Sequence, residues 1–191
     1  MKTQTIIALK FLLVMTVLTG VIYPFFMTGL AQLVFPGKAN GSMIKKNGKI
    51  VGSELIGQKF DSSIYFWSRP SAIDYNPVPS GASNYGPTSD KLKKQVTERR
   101  ALFITKNLLT DTTAIPKEMI FASASGLDPH ISPKAALLQL NRVASARNYD
   151  ETQKQKVQQL IKNKTEDPQF SLLGEPRINV IELNLALDSI K

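Results

Sequence analysis

The chain has 191 residues, enough for one ordinary domain with an appendage, and a formal net charge of +9. It contains no cysteine, which excludes disulfide staples, thiolate nucleophiles, cysteine-based zinc sites and lipid attachment to cysteine. The mean hydropathy of -0.10 averages two unlike parts, because the apolar residues are concentrated in the first 35 positions and a polar, basic remainder follows. The basic excess suits anionic headgroups or an acidic partner, and its scattered charges suit plain solubility as well.

In chain order, the first element is a membrane segment. From Phe11 to Phe35 the run FLLVMTVLTGVIYPFFMTGLAQLVF carries no charge for 25 residues. A helix of that length exceeds a hydrocarbon core of about 30 Å, so one transmembrane helix is expected over about residues 7–35, kinked at Pro24, which lacks an N–H. Gly29-Leu30-Ala31 offers small residues at a signal-cleavage spacing, but the apolar run is well beyond a signal h-region of roughly 7 to 15 residues, so a retained anchor is predicted. Lys2, Lys10 and the amino terminus favour a cytoplasmic N-terminus, while Lys38, Lys45, Lys46 and Lys49 follow the helix on its other side. Charge alone does not orient the chain.

The expected organisation is an N-terminal segment 1–35 and a soluble domain 36–191, a mixed α/β (α+β) fold. PGKANGS reads as a linker. Ser42 to Ile56 predicts a short hairpin turning at Asn47-Gly48, since Asn-Gly adopts the positive φ angles of a type I′ turn. Residues 57–90 show no helical period, yet Phe60, Tyr65, Phe66, Trp67, Tyr75 and Tyr85 argue for an ordered loop layer rather than disorder.

A helix is predicted from about Ser89 to Asn107, with Leu92, Val96 and Phe103 on its apolar face. Ser132 caps a second, with Pro133 first and Ala136, Leu140 and Val143 inward. Asp150 and Gln153 resemble the capping box of a third, through Val157, Leu160 and Ile161. Pro168 and Gly174-Glu175-Pro176 end that region. The tail predicts a strand near Ile178 to Ile181 and then a short helix.

The run ASASGLDPHIS holds Ser123, Ser125, Asp128 and the only histidine, His130. Serine, histidine and aspartate together suggest a nucleophile, base and orienter, which makes a membrane-tethered serine hydrolase the alternative reading. The G-x-S-x-G elbow is absent, and a triad is normally assembled from separate elements. A structural turn is therefore expected, with no catalytic residue. One histidine and one aspartate make a poor metal site, no P-loop or G-x-G-x-x-G motif offers a nucleotide site, and no basic stripe points to nucleic acid.

At SRPSAIDYNPVPSGASNYGPTS and again at ASASGLDPHISPKAALLQLNRVASAR, the sequence closely resembles the C subunit of the Kdp potassium-transporting ATPase. The lead-in GQKFDSSIYFWSRP, the closing GEPRINVIELNLALD and the anchor ending VIYPFFMTGLAQLVFPGKANGS extend the likeness to essentially the whole chain. One departure is Ala82, where the family often has a second glycine. The resemblance implies a noncatalytic subunit of a high-affinity, ATP-driven potassium importer in the cell inner membrane. Its implied partners are a channel-like A subunit, a P-type ATPase B subunit and a small F subunit, with membrane lipid around the helix.

It also implies a catalytic chaperone that raises the ATP affinity of the B subunit. No cofactor is expected on this chain alone; ATP enters through the ATPase subunit, because an extracytoplasmic (periplasmic) domain and cytosolic nucleotide do not meet. Thr16, Thr19 and Gly20 are the candidate helix contacts, since small residues allow close approach. Arg69, Pro70, Ser83 and Asn84, with Ser125, Asp128 and His130, are the candidate subunit interface of the soluble domain.

Overall fold

The computed structural model describes residues 2–78, 80–110 and 115–190. They form two compact units, one running up to Val51 and the other from Gly52 onward.

The first unit is dominated by a continuous helix, Lys2–Val34: α1 (Lys2–Val17), a π-helical turn (Leu18–Ile22) and α2 (Tyr23–Val34). At 1.5 Å per residue it spans about 50 Å, more than a bilayer core, and its apolar side chains, such as Phe25 and Leu33, are exposed. It is long and apolar enough to cross a membrane. The disturbance expected at Pro24 takes a specific form. Pro24 cannot donate to the carbonyl of Gly20, and the chain inserts a wider turn just upstream, where the Tyr23 N–H reaches the Leu18 carbonyl five residues back.

PGKANGS is not an open linker. Pro36, with its preset φ, starts the short helix α3 (Pro36–Ala39), which Asn40 closes by donating Nδ2 to the Pro36 carbonyl at 2.7 Å. The hairpin follows as expected, with β1 (Met43–Lys46) and β2 (Lys49–Ser53) joined by Asn47 and Gly48, both at positive φ (53° and 76°). It ends at Ser53, short of Ile56.

The second unit is helical, with very little sheet. Its elements are α4 (Asp90–Asn107), a 3₁₀ turn (Lys117–Met119), β3 (His130–Ile131), α5 (Pro133–Ala146), α6 (Glu151–Asn163), β4 (Ile178–Asn179) and α7 (Val180–Leu187). β3 and β4 pair antiparallel, His130 with Asn179 and Ile131 with Ile178; the sequence reading had no strand at 130–131. The core gathers around α5, where Ala135, Ala136 and Val143 are fully buried against Val157 and Ile161 of α6 and Leu183 and Leu187 of α7. Each large side chain so buried contributes about 1.5–3 kcal/mol of transfer free energy.

The caps explain the helix starts. Ser132 Oγ accepts the Ala135 N–H at 3.1 Å, and Asp150 and Gln153 form the reciprocal capping box. At Asn179, Oδ1 accepts the N–H groups of Ile181 and Glu182, so α7 begins at Val180 and the strand expected through Ile181 is cut to two residues. In α4, Phe103 is buried while Leu92 and Val96 are half-buried, and Arg99 on the nominally polar face is half-buried too.

The described residues from 57 to 89 hold no helix or strand, and they are ordered by side chains instead. Asn184 of α7 accepts the Phe66 N–H at 2.8 Å and donates to its carbonyl at 2.9 Å. Gln139 of α5 accepts the Trp67 N–H at 2.7 Å and donates to its carbonyl at 3.4 Å. Arg142 donates to the carbonyls of Ser63 and Tyr65 at 2.6 and 3.0 Å, and to Asn107 and Gln139 at 2.9 and 2.8 Å. Its guanidinium also lies 4.2 Å from the centre of the Trp67 ring. Burial pushes the Arg142 pKa down to about 10, so it stays charged at neutral pH. Two amides and one guanidinium thus satisfy buried backbone groups that a sheet would otherwise pair.

Candidate functional site

Two segments far apart in the chain, 69–81 and 123–130, meet in the second unit. The Ser123 N–H donates to the Pro70 carbonyl at 3.2 Å, Gly81 N–H to the Ser125 carbonyl at 3.2 Å, and Gly57 N–H to the Leu127 carbonyl at 2.7 Å. Two glycines make the approach possible. A Cβ on Gly126, whose φ is +71°, would lie 2.5 Å from Ile73 Cγ1, and one on Gly57 would lie 2.7 Å from the Asp128 carbonyl oxygen. Beyond the turn, the Val180 N–H bonds the Pro129 carbonyl at 2.9 Å, tying the segment to the start of α7.

Asp128 is the electrostatic centre of this junction. Arg69 Nη1 pairs with Oδ2 of Asp128. Oδ1 accepts the backbone N–H of His130 at 3.0 Å and lies 3.3 Å from its Nδ1. Burial alone would raise the carboxyl's pKa; the His130 hydrogen bonds and the Arg69 charge outweigh it and hold the pKa at about 2. Beside it, the Tyr75 hydroxyl donates to the Arg69 carbonyl, and burial pushes its pKa up to about 12. The junction is a fixed ion pair in a depression rimmed by Leu55, Ile56 and Leu127.

The structure therefore brings Arg69, Pro70, Ser125, Asp128 and His130 together. Ser125 Oγ is occupied as an acceptor for the Leu127 N–H, and the bonds of His130 run to Asp128 rather than to a serine. Asn84 is exposed at φ +52° and Ser83 half-buried, and the bond from this stretch to the junction is made by Gly81. Among the described residues, no group of three or more metal-ligating side chains is found. In the first unit, Thr16, Thr19 and Gly20 are exposed on the apolar helix. Thr19 returns its hydroxyl to the Met15 carbonyl at 2.7 Å, and a Cβ on Gly20 would meet nothing within 4 Å.

Matched against known families, the chain fits the one described as KdpC: K+-transporting ATPase, c chain, over residues 5–189. The chain belongs to this family. Proteins named potassium-transporting ATPase KdpC subunit are similar along nearly their whole length. One from Geobacter metallireducens is 50% identical over 190 residues, covering 96% of each chain. One from Methylococcus capsulatus is 50% identical over 189 residues with the same coverage. One from Caldanaerobacter subterraneus subsp. tengcongensis is 47% identical over 179 residues, covering 94% of this chain and 91% of the relative. In this KdpC-family chain, the two motif-bearing segments are the ones whose backbones bond across Pro70, Gly81, Ser123 and Ser125.

Sequence reading missed two features. One is the clamp of Asn107, Gln139, Arg142 and Asn184, all buried; its signal was Gln139 and Arg142 interrupting the apolar stripe of α5. The other is an exposed apolar tip where Phe170, Leu172 and Leu173 are 80%, 85% and 63% exposed. Gln169 and Leu173 bond each other's backbones at 2.9 Å there, with Phe170 and Ser171 at positive φ. The sequence showed that stretch only as the end of a helix.

Proposed function

We propose that the chain is the single-pass, noncatalytic C subunit of a high-affinity, ATP-driven potassium importer, joining a channel-like A subunit, a P-type ATPase B subunit and a small F subunit into one assembly. The observation that carries this is the family match over residues 5–189, which takes in both the apolar helix and the soluble unit. The helix Lys2–Val34 anchors the chain in the inner membrane with its N-terminus in the cytoplasm, and the domain lies outside. Thr16, Thr19 and Gly20 supply the close-approach face toward a neighbouring helix. Arg69, Pro70, Ser125, Asp128 and His130 present a rigid polar surface to the partner, with Ser83 and Asn84 at its margin and the tip at Phe170 and Leu172 as an apolar contact.

The subunit acts as a catalytic chaperone from a distance. Placed outside the cytoplasm, the domain raises the ATP affinity of the B subunit by binding one of its conformations more tightly than another. A tenfold change in nucleotide affinity requires about 1.4 kcal/mol of such preference. Purification in mild detergent is expected to retain a P-type ATPase with this chain, and protease added to intact spheroplasts is expected to cut the domain. Removing the chain raises the complex's KM for ATP, while the chain alone binds no ATP. A monomer free of companions, or a domain protected in spheroplasts, would refute the reading.

A further inference from the structure

A cleft of about 370 Å³ runs between α4 and the irregular segment 59–75, with Met119 also in its wall. From α4 come Arg99, Leu102, Phe103 and Lys106, spaced so that they form one stripe along the helix. Facing them are Phe60, Trp67, Pro70 and Tyr75, so most of the lining is apolar. This is the size and character of a small-ligand site.

The charges in the wall define the ligand's head. Lys59 is paired with Asp74 at 2.8 Å, and Arg69 is paired with Asp128. Arg99 has only neutral acceptors at long range, the Ile120 carbonyl at 3.3 Å and Gln95 Oε1 at 3.5 Å, and burial lowers its pKa. Among the described residues, neither Arg99 nor Lys106 forms an ion pair. Asp61 is the remaining carboxylate in the wall, so these three groups leave an excess of one positive charge, which suits a single anion and disfavours a polyanion. Arg99 and Lys106 stand about 10 Å apart along the helix axis, with Leu102 and Phe103 between them. Arg99 is the half-buried end and Lys106 the exposed one.

We propose that this cleft binds a medium-chain fatty carboxylate, its head on Arg99 and its acyl chain along Leu102 and Phe103 toward Lys106. The apolar lining disfavours a bare anion, and the half-buried Arg99, which forms no ion pair among the described residues, disfavours an uncharged chain. The site stands on geometry within the second unit and is independent of the subunit assignment above.

Trp67 is the only tryptophan in the chain and lines the cleft, so its fluorescence reports occupancy. The full-length chain in neutral-detergent micelles is titrated with octanoate. A saturable change in Trp67 emission is expected, weakened about tenfold or more in Arg99→Gln, where a charge-assisted bond is lost. It is expected to be retained in part in Arg99→Lys and nearly unchanged in Lys106→Gln. Acetate, octanol and phenylacetate are expected to bind more weakly than octanoate. Equal titrations of wild type and Arg99→Gln would mean partition into the micelle and would overturn the proposal. So would equal binding of acetate, which marks a bare anion site, or of phenylacetate, which marks an aromatic-acid site. A change abolished by Lys106→Gln instead would overturn the placement of the head, and the absence of any saturable change would overturn the site.

Discussion

The side-chain clamp on Phe66 and Trp67 makes a quantitative claim that can be broken at one position. Asn184 is 2% exposed and Phe66 fully buried. Asn184→Leu keeps the number and branching of the side-chain heavy atoms but removes both bonds to Phe66, leaving its N–H and C=O buried and unpaired. Each such group costs about 1–3 kcal/mol, so a loss of about 3 kcal/mol is expected before the cost of a branched side chain at that site. For a unit of this size that lowers the melting temperature by about 10 °C. The assay is thermal unfolding of the full-length chain followed by Trp67 fluorescence, paired with amide hydrogen exchange. Because the clamp orders one segment, exchange at residues 62–70 is expected to accelerate more than exchange in α5 and α6. A variant that melts within about 2 °C of wild type, or that loses protection evenly across the domain, would refute the view that side chains replace a sheet here.

The low pKa of Asp128 fixes a pH window. A folded value of about 2 against an ordinary 3.8 means that its ionised form stabilises the fold fully above pH 4. That contribution, about 2 kcal/mol, is lost as the pH falls through 2; the stability difference between wild type and Asp128→Asn is expected to shrink over that range in acid denaturation. Gly126→Ala, forced to a φ of +71° with its Cβ 2.5 Å from Ile73, is expected to cost about 2 kcal/mol in urea unfolding. Asp150→Ala removes half of the capping box at α6 and is expected to cost about 1 kcal/mol, with the loss of exchange protection confined to the first turn of that helix.

The features legible from sequence were those set by local chemistry. Ser132 with Pro133, Asp150 with Gln153, and Asn47 with Gly48 each encode a cap or turn within four residues, and all three form as expected. The apolar helix is equally local, since length and lack of charge suffice. Long-range pairing was not legible. The two-residue strand at 130–131 carries no period, so the strand expected near Ile178 had no visible partner, and nothing near Asn184 in the chain shows that its amide meets Phe66. Asn179 is an instructive miss: a strand was expected through Ile181, but the side-chain cap at Asn179 switched the chain into helix two residues earlier. Within the interface set, Arg69 and Asp128 were chosen from motif resemblance, and only the fold shows that they form one ion pair.

The way the irregular segment is held bears on how such a domain docks. A surface loop normally loses about 1–2 kcal/mol of conformational free energy per residue when a partner fixes it. Residues 63–70 have already lost that freedom in the folded chain, because Asn184, Gln139 and Arg142 hold their backbone and Tyr75 and Asp128 hold Arg69. The segment that carries Arg69 is itself neither helix nor strand, yet a partner binding there would have little left to order. Loosening the clamp is expected to weaken subunit association even though Asn184 and Arg142 are themselves buried. The decisive comparison is Asn184→Leu against Arg69→Gln in detergent-solubilised complex. If the clamp acts by preorganisation, both variants dissociate faster, and only Asn184→Leu also speeds hydrogen exchange at residues 62–70 in the isolated chain. Unchanged dissociation in Asn184→Leu, with its exchange accelerated, would separate order from docking and defeat the argument.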